Sequence, residues 1–279
     1  MRKLVAIGSV KGSPGVTTLA LEVAGNWPTA GQMVRPLVVE VDPAGGDVAA
    51  RSGLSDTPGL MALAAAVRRS ALPEMVEECV QLLPNGIPVV TGPAGAQQAA
   101  AAVSLFAGSG GIAALRGSTE TTGTVLLDLG RLEEPTVPLV QAVDVLLLVT
   151  RGEVDALAHV AARVAELRSY AAGVELAVVG PSPYPASEIG AAFGIGRVHL
   201  LPWDPRTAAG RHGQLAPRRW RVEPLVRAAS NLAWHFAALA EPTQSMLGKE
   251  LAHLAGTGAP ALPGQNAAST SLLKAGEVR

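Results

Sequence analysis

The sequence predicts an α/β fold, with a mostly parallel central sheet and helices on both of its faces. Two observations carry this prediction. Short runs rich in β-branched residues are apolar on both faces, and longer alanine-rich stretches separate them along the chain. Strands of this kind separated by helices are typical of a parallel sheet with right-handed crossovers. In such sheets, ligands bind outside the carboxyl ends of the strands.

The strands and helices follow one another in regular alternation. Each predicted strand is a short apolar run of the buried type. In chain order these strands are Leu4–Ile7, Pro36–Val41, Pro88–Val90, Thr124–Leu129, Val145–Val149, Leu176–Val179 and Val198–Leu201. The stretches predicted as helices lie near Thr17–Ala24, Leu60–Arg69, Pro73–Cys79, Ala96–Phe106, Pro135–Ala142, Val154–Tyr170, Ala186–Phe193 and Glu223–Leu239.

Length and composition suit one α/β domain of about 240 residues with a tail. The chain has 279 residues, of which 48% are hydrophobic and 16% charged, enough to build a sizeable core. We predict a domain at residues 1–241 and a flexible tail at residues 242–279 with room for one short helix, because small and polar residues dominate from Gly256 onward. The net charge of −1 argues against a surface coated with nucleic acid but allows a local basic patch.

The chain is expected to be cytoplasmic and without an integral membrane segment. Its one cysteine, Cys79, excludes an intramolecular disulfide and a cysteine-based zinc site, which fits a reducing compartment. No signal-peptide pattern precedes the first strand. The uncharged segment 79–115 is interrupted by prolines and glycines, so it does not read as a spanning helix. The five histidines are scattered without ligand spacing, and no histidine metal site is expected.

Residues 9–18 form a phosphate-loop pattern between the first strand and the first helix, Ser-Val-Lys-Gly-Ser-Pro-Gly-Val-Thr-Thr. Such a loop wraps backbone N–H groups around phosphates and points a helix N-terminus at the anion. The standard pattern G-x-x-x-x-G-K-[ST] is not met, because Val10 replaces its first glycine and Val16 its lysine. A simple glycine- and proline-containing turn is the alternative interpretation.

The loop resembles the deviant phosphate loop of the MinD/ParA family, K-G-G-x-G-K-T-T. Positions that match are Lys11, Gly12, Gly15, Thr17 and Thr18, and those that depart are Ser13 and Val16. The resemblance implies a three-layer P-loop NTPase fold that binds ATP and Mg²⁺ through these seven positions. It also implies that Lys11 reaches across a dimer interface to the partner's nucleotide and acts in catalysis.

The second predicted strand ends in carboxylates, Glu40 and Asp42, followed by Pro43. In the family this segment lies beside the γ-phosphate; Asp42 matches the water-activating residue, and Glu40 replaces the first aspartate. A carboxylate there can orient or deprotonate a water for in-line attack. Residues two apart on a strand share one face, so Glu40 and Asp42 are predicted to act together. A turn shaped by Asp-Pro and Gly-Gly for geometry alone is the alternative.

A third motif, Thr-Val-Leu-Leu-Asp-Leu-Gly at residues 124–130, has the form of a Walker B strand. Its Asp128 is predicted to hold Mg²⁺ through water while the hydroxyl of Thr17 is a direct ligand. The alternative is an aspartate that caps the next helix.

After the last predicted strand the chain reads Leu-Pro-Trp-Asp-Pro, at residues 201–205. Family members often carry P-x-D here in a loop that contacts the adenine base, which implies nucleotide contacts for Pro202 and Asp204. The strand that follows Asp144 also matches a segment of the family. The resemblance therefore covers about residues 3–240.

Arginines with one tryptophan among them form the most basic stretch of the chain, namely Arg206, Arg211, Arg218, Arg219, Trp220, Arg221 and Arg227. In the family a C-terminal basic surface contacts DNA non-specifically, which implies possible contacts from Arg218, Arg219 and Arg221 and a steep salt dependence. A solvated face that pairs with Asp204 and Glu223 is the alternative.

The absence of the phosphate-loop lysine, which Val16 replaces, affects the expected activity more than any other departure from the motif. Loss of one charge-assisted phosphate contact costs about 1.5–3 kcal/mol, or roughly 10- to 150-fold in affinity, which leaves room for binding. Hydrolysis suffers more, because the transition state needs positioned cations, and Lys11 is the candidate substitute, either within its own subunit or across a dimer. We therefore expect an ATP-dependent homodimer with slow or absent hydrolysis, which with an unidentified partner protein positions DNA or cell machinery, as in bacterial chromosome or plasmid partitioning. The alternative is a non-hydrolysing scaffold of the CpaE/TadZ type that localises pilus or secretion machinery.

Overall fold

An eight-stranded sheet forms the centre of the fold. Its strands are β1 Lys3–Ser9, β2 Leu37–Glu40, β3 Gln81–Leu82, β4 Pro88–Val90, β5 Thr124–Arg131, β6 Val145–Arg151, β7 Val174–Val179 and β8 Val198–Leu201. Their order across the sheet is β3-β4-β2-β5-β1-β6-β7-β8, and all neighbours are parallel except β3 and β4. The computed structural model describes residues 1–12, 14–29, 34–108, 110–205 and 223–240.

Helices connect the parallel strands. They are α1 Val16–Gly25, α2 Val48–Ser52, α3 Leu60–Val67, α4 Glu74–Glu77, α5 Ala96–Gly108, α6 Gly111–Arg116, α7 Val137–Ala142, α8 Val154–Tyr170, α9 Ala186–Phe193 and α10 Pro224–Ala240, with a 3₁₀ turn at Glu134–Thr136 before α7. Within the described residues, no helix is both long and apolar enough to cross a membrane.

The sheet has an apolar core on each face. On β1, the buried Leu4 and Ala6 belong to the core shared with α3, α5 and α8, whereas Val5 and Ile7 belong to the core shared with α1 and α10. This alternation is the pleat of a strand that is covered on both sides. The predicted three-layer α/β fold with a mostly parallel sheet is confirmed.

The sequence analysis did not predict three short elements: β3, α2 and α6. They span two, five and six residues, which is too short for a hydrophobic period to show. Strand β2 also ends earlier than predicted, at Glu40, so that Asp42 lies in the loop after it.

Parts of the prediction fall outside the described residues. These are the tail at residues 242–279, Ser13 of the phosphate loop and the DNA-contact candidates Arg218, Arg219 and Arg221. Contacts within the chain delimit one unit at Met1–Ala240. The division into a domain and a flexible tail stays a prediction.

Candidate functional site

A cavity of about 380 Å³ opens at the carboxyl ends of the central strands. It gathers most of the predicted nucleotide-binding residues, and its lining includes Gly12, Gly15, Val16, Thr17, Thr18, Asp42, Pro202 and Asp204. Lys11 does not line it, and Asp128 lies buried beneath it. The pocket therefore lies where the topology of an open parallel sheet places a ligand.

The phosphate loop ends at Gly15, which begins α1 in a left-handed conformation with φ of 96°. Only glycine adopts this conformation without strain. The carbonyl of Gly15 accepts the N–H of Leu19 at 2.8 Å, so the helix starts directly at the loop. Among the described residues, no side chain caps α1, which leaves the N–H groups of its first turn available to an anion.

The position of the missing lysine is apolar. Val16 is 5% exposed and packs in the same core as Val5 and Ile7, with part of its surface in the cavity lining. The start of α1 therefore contributes backbone donors but no cationic side chain.

Two arginines that the sequence analysis did not single out lie in the cavity lining, Arg51 and Arg131. The Arg51 guanidinium pairs with Asp47 at 2.7 Å, and Arg131 lies 3.8 Å from a carboxylate oxygen of Glu133. Both are cations within the site, each partly balanced by an acid. The position of Arg131, directly after the Asp-Leu-Gly of β5, was the available signal.

Lys11 turns away from the cavity of its own chain. Its exposed ammonium donates to Nε2 of His159 on α8 at 2.7 Å. A lysine in this position cannot compensate for Val16 within the same subunit without leaving His159.

Glu40 does not act beside Asp42, which corrects the sequence prediction. Its buried carboxylate accepts the N–H groups of Asp47 and Val48 at 2.7 and 3.1 Å and that of Gly92 at 2.8 Å. Burial raises the pKa of Glu40, and these hydrogen bonds oppose the rise. Glu40 therefore anchors the start of α2 to the sheet and is not part of the cavity lining.

Asp42 lines the cavity from the loop after β2. One of its oxygens accepts the N–H of Ala44 at 2.8 Å. Partial burial raises the pKa of Asp42 above its ordinary value, with the Ala44 hydrogen bond opposing the rise. A carboxylate with a raised pKa is a stronger base towards a bound water.

Asp128 is fully buried on β5, opposite Glu40 in the register of β2 and β5. Its Oδ1 accepts the N–H of Gly130 at 3.1 Å, and no donor among the described residues reaches its Oδ2. Burial raises its pKa to about 7; the nearby hydroxyl of Thr17 opposes that rise, and the charge of Glu40 adds to it. An unpartnered oxygen beside a hydroxyl, both hard donors, fits a site for Mg²⁺ and its water.

The loop after β8 forms the far wall of the cavity. Trp203, which is 51% exposed, stacks under the guanidinium of Arg151 at 3.8 Å from its ring centroid. Pro202 and Asp204 on either side line the cavity. The stacked pair is a further feature that the motif analysis missed, and it fixes an aromatic face at the cavity rim.

Gly130 leaves room for Asp42, which gives a testable prediction. Its φ is 54°, and a Cβ built on it would collide with the carboxylate of Asp42. We expect Gly130→Ala to lower the free energy of unfolding by about 2–4 kcal/mol, from backbone strain and displacement of Asp42.

The matched control is Gly53→Ala. Gly53 has a similar φ of 65°, but a Cβ there would meet nothing within 4 Å. It should lose only about 1–2 kcal/mol from strain. Urea denaturation of both variants measures the difference, and equal losses would contradict the proposed steric contact.

Comparison of the sequence finds no matching family model and no matching curated protein. Comparison of the structure finds similar solved proteins, among them ATPases of the MinD and ParA type. A ParA family ATPase from Chlorobium tepidum has a TM-score of 0.66 at 17% identity, over 84% of this chain and 98% of its own. The cell division ATPase MinD of Pyrococcus furiosus has a TM-score of 0.66 at 18% identity, over 86% of this chain and 100% of its own.

The septum site-determining protein MinD of Pyrococcus horikoshii, solved as a complex with Mg-ADP, is similar over 86% of this chain and 98% of its own, with a TM-score of 0.67 at 17% identity. The fold of this chain is that of the MinD and ParA ATPases, as its motifs predicted.

Proposed function

We propose that this chain binds an ATP–Mg²⁺ complex in the cavity and dimerises through it, as a MinD/ParA-like protein with slow or absent hydrolysis. The observation that carries the proposal is Oδ2 of Asp128, a fully buried oxygen without a donor, beneath the cavity and close to Thr17. Burying a carboxylate without a partner is costly, so such an oxygen points to a ligand that completes it.

The phosphates would lie at the N-terminus of α1. The uncapped N–H groups of its first turn offer donors, and the helix dipole favours an anion there. Arg51 and Arg131 add positive charge at the cavity wall. These features compensate in part for the absence of a lysine at Val16.

Mg²⁺ would be held by the hydroxyl of Thr17 and, through water, by Asp128. When bound, Mg²⁺ would offset the negative charge of the phosphates and of the carboxylates below them. Asp42 at the cavity wall would orient a water and accept its proton. Without a lysine at position 16, transition-state charge is less well balanced, and we expect turnover to be slow.

The role that follows is positioning. A nucleotide-dependent dimer of this fold would carry DNA or cell machinery with the help of a partner protein. Arg218, Arg219 and Arg221 remain the proposed non-specific DNA contacts, which would make retention on DNA steeply salt-dependent.

A second candidate is a non-hydrolysing scaffold of the CpaE/TadZ type that localises pilus or secretion machinery. Val16 favours it, because a nearly buried valine in the apolar core stands where catalysis needs a cation. Binding of nucleotide without turnover would agree with either version, whereas turnover lost in Asp42→Ala would select the ATPase.

A titration of fluorescent ATP with Mg²⁺, with solution mass recorded alongside, tests the proposal. We expect the wild type to bind and dimerise, and Lys11→Ala to bind about tenfold or more weakly and to stay monomeric, because the dimer loses a charge-assisted phosphate contact.

Lys3→Ala is the control. Lys3 lies at the start of β1 and pairs with Asp144 at 3.6 Å, far from the phosphate loop. It should bind and dimerise as the wild type does. If Lys11→Ala binds and dimerises as Lys3→Ala does, Lys11 is not part of the dimer interface. If the wild type does not bind nucleotide at millimolar concentration, only the scaffold function remains.

A further inference from the structure

A second cluster of polar side chains lies on the face of the sheet that α10 covers. Glu175 of β7, His199 of β8 and His235 of α10 meet there. Nε2 of His199 donates to one carboxylate oxygen of Glu175 at 2.8 Å, and Nε2 of His235 donates to the other at 2.8 Å. The spacing of the histidines along the chain did not indicate this cluster, in which the ring centroids of His199 and His235 are 5.7 Å apart.

The topology explains how the cluster forms. His199 pairs with Ala177 across β7 and β8, and Glu175 lies two residues before Ala177 on the same face. Ala177 packs in the core shared with α10, and His235 projects from that helix. On β7, Glu175 is four residues before Val179, which lines the cavity. The cluster therefore lies about 13 Å from the cavity along this strand.

We propose that Glu175, His199 and His235 form a binding site for Zn²⁺, with a fourth position open to water. Two imidazole nitrogens and one carboxylate are a donor set typical of zinc sites with three protein ligands. When zinc binds, the proton on each Nε2 would move to Nδ1 or be released to solvent. The nitrogen donors argue against Mg²⁺ and Ca²⁺, which take oxygen ligands.

The geometry suits a metal of this size. One candidate ligand atom from each residue lies within 4.8 Å of the other two. Around a tetrahedral zinc with bonds of about 2.0–2.2 Å, ligand atoms are roughly 3.4 Å apart. Each side chain would therefore shift by less than about 1 Å, a small side-chain adjustment.

The three side chains are largely buried, and the carboxylate of Glu175 is ionised. The exposed fractions of the three side chains are 12% for Glu175, 20% for His199 and 17% for His235. Burial acts to raise the pKa of Glu175, but the hydrogen bonds from the two histidines outweigh it and lower the pKa. The carboxylate is thus held in the form that ligates a metal.

One neighbouring cation competes for the same carboxylate. Nε of Arg197 lies 3.5 Å from Glu175, and the arginine side chain is 57% exposed. Because it reaches solvent, the guanidinium can move away from Glu175 when a metal binds.

An aromatic ring packs against one of the histidines. The ring of Phe236 lies 5.2 Å from the ring of His235 and helps to set the orientation of His235.

Titration of zinc alone into the full chain, freed of metal with a chelator, tests the site through competition with a fluorescent zinc indicator. We expect one saturable site, weakened about 100-fold or more in His199→Gln and in His235→Gln. Zinc should raise the unfolding temperature of the wild type but not that of these variants.

His159→Gln is the matched control, because His159 lies on α8 outside the cluster. It should bind zinc as the wild type does. Glutamine keeps a hydrogen-bond donor for Glu175, and circular dichroism without metal verifies that each variant is folded. Absence of saturable binding in the wild type, or equal binding in all three variants, would overturn the proposal.

The variant Arg197→Gln tests whether the cluster is a metal site or only a set of hydrogen-bonded polar side chains. Removing the guanidinium frees Glu175 and lowers the repulsion on an incoming cation, so we expect zinc affinity to rise about two- to tenfold. An affinity that is unchanged or lower would overturn the assignment of Glu175 as a ligand.

Discussion

Asp128→Asn is expected to make the protein more stable than the wild type at pH 8 and to weaken Mg²⁺-dependent nucleotide binding by at least about tenfold. Asp128 is fully buried, and its Oδ2 has no donor among the described residues. Asparagine has the same shape but no charge to bury. Stability and ligand binding should therefore change in opposite directions.

The pH dependence follows from the raised pKa of Asp128. In the unfolded chain its carboxyl loses the proton near the ordinary value of 3.8, whereas in the folded chain burial keeps the proton up to about pH 7. The stability that this group contributes is complete below pH 3.8, falls as the pH rises and is lost above pH 7. The difference amounts to at most about 4 kcal/mol.

Urea denaturation without Mg²⁺ at pH 5 and pH 8 measures this effect. The wild type should lose stability between the two values, and Asp128→Asn should lose much less. The exposed Asp56 gives the control, because Asp56→Asn should show the pH dependence of the wild type. A pH dependence in Asp128→Asn as steep as that of the wild type would show that the buried carboxyl is not its source.

Val16→Lys is expected to tighten binding of ATP–Mg²⁺ by about 10- to 150-fold. Val16 is the first residue of α1 and contributes to the cavity lining, although it is only 5% exposed. A lysine stem can follow its apolar neighbours while the ammonium reaches the phosphates. The lost packing should lower the stability of the ligand-free protein by about 1–3 kcal/mol.

Val16→Met separates charge from length, since methionine has a flexible side chain of comparable reach without the ammonium. It should bind nucleotide no better than the wild type in the same fluorescence titration. Equal gains in the two variants would mean that shape, not charge, limits binding. No gain with lysine would mean that Arg51 and Arg131 already balance the phosphates.

The residues of the cavity were predictable because they follow strands of one parallel sheet. The carboxyl ends of β1, β2 and β5 meet at one edge, so a motif after each of these strands contributes to the same place. Gly15, Thr17 and Asp42 meet there, as expected from their motifs.

Other parts of the site could not be predicted from local patterns. Strand periodicity placed Glu40 on the same face as Asp42, but it carries no information on the N–H groups of Asp47 and Gly92 that Glu40 binds. The cluster of His199 and His235 with Glu175 joins residues 24 and 60 positions apart, for which spacing gives no signal.

The hydrogen bonds of Glu40 have a consequence for the entropy of ligand binding. Asp47, Val48 and Gly92 are all tied to one buried carboxylate, so the loop that carries Asp42 loses its conformational freedom when the chain folds. Ordering this loop then adds nothing unfavourable when a ligand arrives, because a preorganised site avoids that cost. The wall of the cavity that bears Asp42 is rigid in advance, and adaptation to different ligands falls to the other walls.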